Sequence, residues 1–177
     1  MARGKDIEKK KSFFKNTNHK ISFNSPLIVL VLGASFPSKI YPIEKYAEIV
    51  NSLNSRFVAI WGSDKEKQMA LELKSITKNV TIEKKLSFSE LIELTSKADL
   101  VIGGDTGPTH LAWALNVPSI TIFGSTPMKR NCYITKINRA VDSQKLINPF
   151  NIDKIDTSIQ SIDSKKIVKL AKRLLEK

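Results

Sequence analysis

The stretch that decides the fold is Ile102-Gly103-Gly104-Asp105-Thr106-Gly107-Pro108-Thr109-His110. The apolar run that ends at residue 102 indicates a buried strand, and residues 111–115 have the composition of a helix. Glycines at a strand-to-helix turn allow a close approach of the backbone to a ligand, and the helix start offers N–H groups to an anion. The stretch also carries a carboxylate, two hydroxyls and an imidazole. It therefore predicts a site for a phosphate-bearing ligand with a polar group beside the phosphate.

Four further apolar runs have the length of a strand, at residues 27–32, 57–61, 80–82 and 119–123. Segments of helical periodicity separate them, whereas residues 125–162 are expected to be irregular. This alternation predicts an α/β fold, a doubly wound, Rossmann-like parallel sheet with helices on both faces. The commonest strand order is 3-2-1-4-5, in which ligands bind beyond the carboxyl ends of strands one and four. We therefore expect Lys39 and Asp105, which follow those strands, to meet across one crevice.

Length and composition indicate a single soluble domain. A chain of 177 residues with 41% hydrophobic and 26% charged residues is typical of one well-cored globular unit. Residues 1–25 are polar and basic, and we interpret them as a linker or tail that precedes a domain at 26–177. The chain has no apolar run near the about 18 residues of a membrane span and no secretory signal. The single cysteine, Cys132, favours a reducing cytoplasm, and we expect it to be inert and half-buried.

The net charge of +12 is compatible with three classes of partner: nucleic acid, an anionic membrane face or a phosphorylated ligand. A solvated basic surface explains the charge equally well, because the lysines are spread over the chain. The sequence shows no zinc-finger spacing, RNP motif or recognisable helix-turn-helix, so no nucleic-acid partner is expected.

Each polar residue near the predicted crevice has an expected contact. Lys39 can place its ammonium beside a phosphate, with Ser35 and Ser38 donating hydroxyl hydrogen bonds. Asp105 only accepts hydrogen bonds and therefore suits sugar hydroxyls. The residues expected to face the phosphates at the helix start are Thr106, Gly107, Thr109 and His110. Structural roles remain open beside these: a surface lysine at 39, a helix cap at 105 and a structural histidine at 110. No metal-ligand pattern is present, so no metal is expected.

A longer set of residues resembles the donor-binding half of the bacterial lipopolysaccharide heptosyltransferases. The set comprises residues 105–112, 114–118 and 123–126, with Gly33-Ala34-Ser35, Lys39, Pro42, Trp61-Gly62 and Glu66. The resemblance runs from about residue 27 to residue 126 and continues more weakly to the C-terminus. It implies the C-terminal half of a two-Rossmann glycosyltransferase of the GT-B architecture, and the members that add the first heptose to Kdo look closest.

The resemblance implies an inverting, metal-independent transfer of heptose from ADP-L-glycero-D-manno-heptose to the Kdo and lipid A of the inner core. It implies no cofactor besides this donor. The implied donor contacts are Ser35 and Lys39 with phosphate or sugar, Glu66 with ribose, Leu86 with adenine, Asp105 with heptose hydroxyls, and Thr106, Gly107 and His110 with the diphosphate.

The resemblance covers one half of such an enzyme. The N-terminal domain, which holds the acceptor and the catalytic aspartate in this family, has no counterpart here, so the general base is unknown. We expect the isolated chain to bind donor and to transfer little or no heptose, and a separate chain carrying the N-terminal half is one candidate partner. The final helix, with its apolar stripe at residues 167–175, is expected to pack on that missing domain and to be partly exposed here.

Other functions remain open at this point. One is a catalytically silent nucleotide-sugar binding module or a remnant of a truncated enzyme. Another is an epimerase or hydrolase on a related fold, and a basic nucleic-acid binding protein is the last. The basic surface would also suit peripheral contact with the cytoplasmic face of the inner membrane, where the acceptor carries phosphates.

Overall fold

The centre of the molecule is a parallel sheet of six strands. The computed structural model describes residues 25–77 and 79–176. The strands are β1 (Leu27–Val31), β2 (Arg56–Ile60), β3 (Val80–Ile82), β4 (Leu100–Gly104), β5 (Ser119–Phe123) and β6 (Asn138–Asp142). Their order is β3-β2-β1-β4-β5-β6, which confirms the predicted order of the first five. The linker or tail proposed for residues 1–25 lies outside the described residues, apart from residue 25.

Helices cover both faces of the sheet. They are α1 (Ile43–Ser52), α2 (Asp64–Ile76), α3 (Phe88–Lys97), α4 (Gly107–Ala114), α5 (Met128–Asn131) and α6 (Ser164–Leu175), with short 3-10 turns at Pro37–Lys39 and Ser158–Ser161. Alternate residues of β1 point to opposite faces. Ile28 and Leu30 pack beneath α1, α2 and α6, whereas Val29 and Val31 pack beneath α3 and α4. Burial on both faces explains why this strand reads as a continuous apolar run.

Strand β6 was not predicted, because residues 125–162 lack an apolar run of strand length. Its sequence, Asn138-Arg139-Ala140-Val141-Asp142, mixes charged and apolar residues, and only Asn138 is fully buried. The strand pairs in parallel with β5 at the edge of the sheet. Edge strands tolerate polar residues because solvent reaches them, so the hydrophobic pattern carries little signal here.

Helix α6 packs its stripe on this domain, and the expected partial exposure is limited to three half-buried positions. Ile167 and Ala171 are completely buried in the core beneath α1 and the sheet. Val168, Leu174 and Leu175 are half-buried against the same core. A stripe of this kind only shows that a helix buries one face, and the tertiary structure decides which surface receives it.

Two glycines allow the 3-10 turn after β1 to sit directly on the edge of the sheet. A Cβ at Gly104 would lie 2.7 Å from the Lys39 carbonyl oxygen, and one at Gly124 would lie 2.4 Å from the Ser38 carbonyl oxygen. Both distances are shorter than any side chain tolerates in a close-packed interior. The hydroxyl of Ser125 also donates a hydrogen bond to Ser38 Oγ at 2.7 Å. The turn is therefore held against the ends of β4 and β5.

Replacing Gly104 by alanine should destabilise the protein, because the new methyl group must displace the backbone of Lys39. We expect Gly104→Ala to lower the free energy of unfolding by about 1–3 kcal/mol, measured by urea denaturation. Gly107→Ala is the matched control, since a Cβ there meets nothing within 4 Å. Equal denaturation midpoints for the two variants would show that the turn does not need this close approach.

Candidate functional site

Lys39 and Asp105 meet at the carboxyl ends of β1 and β4. Lys39 Nζ lies 3.1 Å from Asp105 Oδ2 and also donates a hydrogen bond to the Asp105 carbonyl oxygen at 3.1 Å. The Lys39 side chain is 13% exposed and that of Asp105 is 2% exposed. The prediction that these residues meet across one crevice is confirmed, and they do so at the point where the winding of the sheet reverses.

Two further side chains donate hydrogen bonds to the Asp105 carboxylate. His110 Nε2 lies 2.9 Å from Oδ1, and Asn131 Nδ2 lies 3.0 Å from Oδ2. Burial alone would raise the pKa of Asp105, but the hydrogen bonds from His110 and Asn131, the hydroxyl of Thr126 and the charge of Lys39 outweigh it, so this pKa is lowered. The carboxylate is therefore ionised at neutral pH, and both of its oxygens are engaged within the protein.

The contact with Asp105 determines what His110 can offer to a ligand. The carboxylate only accepts hydrogen bonds, so Nε2 of His110 must carry a proton. Nδ1 is then an acceptor in the neutral ring and a donor in the imidazolium. The ring stacks on Trp113, with 4.1 Å between centroids and an angle of 17° between planes, and the His110 side chain is 36% exposed. His110 is thus held in place by Asp105, while part of its ring remains accessible to a ligand.

The start of α4 presents an open surface at Thr106 and Gly107. Thr106 is the N-cap residue, but its hydroxyl makes no capping hydrogen bond. Gly107 is exposed, and the space beside its Cα is open. The amides of Thr109 and His110 both donate to the Thr106 carbonyl oxygen at 3.1 Å. A ligand can therefore approach the backbone closely at Gly107, because no atom from elsewhere in the protein lies within 4 Å of the position of an added Cβ.

Two residues expected to contact a ligand, Thr109 and Ser38, serve internal packing instead, as does Gly103 of the glycine turn. Thr109 is completely buried, so the expectation that it faces the phosphates is wrong. Ser38 is 1% exposed and bonded to Ser125, so its hydroxyl is not directed at a ligand. Gly103 is crowded by Thr109 Oγ1, which would lie 2.5 Å from an added Cβ. Local polarity did not reveal which of these groups turns inward.

Ser35, Glu66 and Leu86 lie outside the Asp105 cluster. Ser35 is exposed on the loop after β1. Glu66 Oε2 accepts hydrogen bonds from the amides of Gly62 at 2.6 Å and Ser63 at 3.2 Å, which completes a capping box at the start of α2. The Glu66 side chain also covers the Cα of Gly33, just beyond the end of β1. Leu86 is half-buried against the core beneath α3 and α4.

Sequence reasoning missed Asn131 as a member of the site and interpreted Cys132 correctly. Asn131 lies 26 residues beyond Asp105, at the end of the four-residue helix α5, and no motif marks it. Cys132 is half-buried, as predicted. Burial and the charge of Asp105 raise the pKa of Cys132 to about 11. The thiol is therefore protonated at neutral pH and is a poor nucleophile.

Residues 25–77 and 79–176 contain neither a cluster of metal-ligating side chains nor a membrane-spanning helix. No group of three His, Cys, Asp or Glu side chains there could hold a metal ion. Within the same residues, no helix is both long enough and apolar enough to cross a membrane.

Residues 2–150 match a family model described as glycosyltransferase family 9 (heptosyltransferase). The chain belongs to glycosyltransferase family 9. Lipopolysaccharide heptosyltransferase 1 of Campylobacter coli is 41% identical over 165 residues, which cover 88% of this chain and 48% of that relative. The resemblance inferred from the sequence is thus confirmed.

Solved structures of the family share the fold. The ADP-heptose lipopolysaccharide heptosyltransferase II of E. coli superimposes with a TM-score of 0.73 at 18% identity, covering 99% of this chain and 52% of its own. The E. coli heptosyltransferase WaaC with ADP-2-deoxy-2-fluoro heptose gives 0.65 at 19% identity, covering 93% and 47%. At these identities the likeness concerns the fold alone. The chain spans about half the length of these relatives.

Replacing Asp105 by asparagine tests the electrostatics of the cluster. The lowered pKa means that the ionised carboxylate stabilises the fold above the ordinary value of 3.8, and this contribution is lost as the pH falls below that value. Asp105→Asn should therefore lower the free energy of unfolding by about 1–3 kcal/mol at neutral pH. The difference from wild type should shrink near pH 3. Urea denaturation across this range is the measurement, with exposed Asp153→Asn as control. A difference that grows toward acid would contradict the assignment.

Proposed function

We propose that this chain is the donor-binding half of a heptosyltransferase. The whole enzyme would transfer heptose from ADP-L-glycero-D-manno-heptose to the Kdo and lipid A of the inner core in lipopolysaccharide biosynthesis. The observation that carries the proposal is the Lys39 ammonium held by Asp105 at the switch point of the sheet, in a chain of glycosyltransferase family 9. Family membership argues against the epimerase, hydrolase and nucleic-acid alternatives.

The cluster is suited to a nucleoside diphosphate. An ammonium has three donors, and Asp105 engages Lys39 through Oδ2 and through the carbonyl oxygen, which leaves one N–H for a phosphate. The Thr106 hydroxyl and the Gly107 amide at the open helix start, together with His110, would complete the diphosphate contacts. Exposed Ser35 would approach from the loop after β1. The cation is thus oriented before the donor arrives.

The remaining donor contacts follow from the atoms that the protein leaves unused. Both capping hydrogen bonds of Glu66 go to Oε2, so Oε1 can accept from a ribose hydroxyl. Half-buried Leu86 would form the apolar wall beside adenine. The Asp105 carboxylate already receives Lys39, His110 and Asn131, with Thr126 beside it. The contact proposed for its remaining acceptor capacity is a heptose hydroxyl.

In the proposed reaction, negative charge develops on the departing ADP as the heptose leaves with inversion at its anomeric carbon. Lys39, the His110 ring and the positive end of α4 would stabilise that charge. The proposed reaction uses neither a metal ion nor a cofactor. The proton of the acceptor hydroxyl would go to a general base in the other half of the enzyme, which must lie within about 2.6–3.2 Å of the hydroxyl oxygen or reach it through one water.

The acceptor site and the general base belong, in this proposal, to the other half of the enzyme. A separate chain can supply that half, and the lipid A–Kdo acceptor would bind to it. The basic surface favours peripheral contact with the cytoplasmic face of the inner membrane. The alternative is a catalytically silent nucleotide-sugar binding module, which the half-length match also allows. Both functions include donor binding, so only an assay of heptose transfer distinguishes them.

Donor binding should appear as stabilisation against heat. ADP-heptose at about 100 times its Kd should add roughly 2.7 kcal/mol to the free energy of unfolding, and ADP should stabilise more than UDP. Lys39→Ala should lose most of this gain, because it removes the oriented ammonium. Lys65→Ala, an exposed lysine of α2, should keep it. Thermal shift is the measurement, and equal stabilisation of wild type and Lys39→Ala would contradict the assignment.

The purified chain alone should transfer little or no heptose. We expect transfer to Kdo–lipid A, measured by mass spectrometry, only after addition of an N-terminal half, for which the Campylobacter coli relative can serve as the source. Lys39→Ala in the same mixture should reduce the rate. Transfer by the chain alone would contradict the assignment of the general base to another half. Donor binding without transfer in the mixture would favour the silent module.

A further inference from the structure

Asn131 connects helix α5 to the buried carboxylate of the proposed donor site. Its Nδ2 donates to Asp105 Oδ2 at 3.0 Å across 26 residues of sequence. The helix is anchored at its start, because the amides of Arg130 and Asn131 both donate to the Pro127 carbonyl oxygen at 3.1 Å. Asn131 is half-buried, so its amide is partly shielded from competing water. The fold thus fixes both where the Asn131 side chain lies and which of its atoms donates to Asp105.

Arg130 sets the orientation of the Asn131 amide. Arg130 Nε donates to Asn131 Oδ1 at 3.0 Å. Because a guanidinium only donates, Oδ1 must be the acceptor, and Nδ2 is then directed at Asp105. Arg130 is itself held from the other side, where Nη1 donates to the Pro149 carbonyl oxygen at 2.9 Å. The segment that follows β6, helix α5 and the carboxylate therefore form one continuous series of hydrogen bonds.

The contact at Oδ2 limits the rotation of the carboxylate. A carboxylate turns easily about its terminal torsion, which is broad and roughly two-fold. Oδ2 of Asp105 receives both Asn131 Nδ2 and Lys39 Nζ, whereas Oδ1 receives His110 Nε2. The two oxygens are equivalent, so the orientation of the carboxylate plane depends on the directions of its donors, and Asn131 adds a contact from α5 to those of Lys39 and His110. Loss of Asn131 removes this restraint and leaves the plane freer to tilt.

We propose that Asn131, oriented by Arg130, is a positioning residue that sets the rotation of the Asp105 carboxylate. Through that carboxylate it places the Lys39 ammonium and the His110 ring for the diphosphate of the donor. The step to the diphosphate rests on the proposed function, whereas the step from Asn131 to His110 does not. Neither Asn131 nor Arg130 needs to touch the donor for this role.

The test compares Asn131→Leu, which keeps the approximate size but removes the donor, with Arg130→Leu in the full chain. Lys129→Leu is the matched control, because it removes the same charge from a neighbouring exposed position. Isothermal titration with ADP should show about tenfold weaker binding for Asn131→Leu. Arg130→Leu should bind ADP several-fold more weakly than Lys129→Leu. Nitrogen-15 NMR of the imidazoles, of which the chain has two, should show the Nε2–H form of His110 in wild type and a shifted or broadened signal in Asn131→Leu.

Each outcome decides the proposal. A purely structural Asn131 would lower the melting temperature while the ADP Kd and the His110 signal stay as in wild type, and this result would overturn the positioning role. Failure of wild type to bind ADP would overturn the proposed function, and the His110 signal would still test the action of Asn131. If Asn131→Leu does not fold, the Arg130→Leu variant decides. The proposal would be overturned if Arg130→Leu had the same ADP Kd and the same His110 signal as Lys129→Leu.

Discussion

The neutralisation of one buried carboxylate organises the edge of this sheet. An ionised group with only 2% of its side chain exposed is strongly destabilising unless charges and hydrogen bonds replace the water that it has lost. Asp105 receives them from three separate elements: Lys39 after β1, His110 in α4 and Asn131 in α5. The same contacts bring together a cation and an imidazole beside an open helix start. Stability and the capacity to bind an anion thus arise from one electrostatic requirement.

Close packing divides the glycines of the central motif into two kinds. Gly103 and Gly104 are crowded by Thr109, Val31 and the backbone of Lys39. They allow the loop after β1 and the helix after β4 to approach the sheet. Gly107 has open space beside it and lies on the surface that a ligand can reach. The glycines of this turn therefore serve two purposes, internal packing and ligand access. The surroundings of each Cα show which purpose a given glycine serves.

The proposed division of labour follows from where these groups lie. The charge that develops on a departing diphosphate would be met by groups already held in place, so little reorganisation accompanies the reaction. The acceptor and its general base would come from the other half of the enzyme, in keeping with a chain that spans about half the length of its relatives. Binding and chemistry would then be separable between the two halves.

The sequence by itself predicted the strands β1 to β5. Four of them, β1, β2, β4 and β5, are continuous apolar runs because they are buried on both faces. The right-handedness of the crossover connections then predicted the strand order. That order in turn predicted that Lys39 and Asp105 meet. The tertiary structure alone decided the edge strand β6, the docking of α6 on its own domain, the inward direction of Ser38 and the place of Asn131. Hydrophobic periodicity records how much of an element is buried. The partner of a polar group lies 26 residues away for Asp105 and Asn131 and 87 away for Ser38 and Ser125, so only the folded chain can select it.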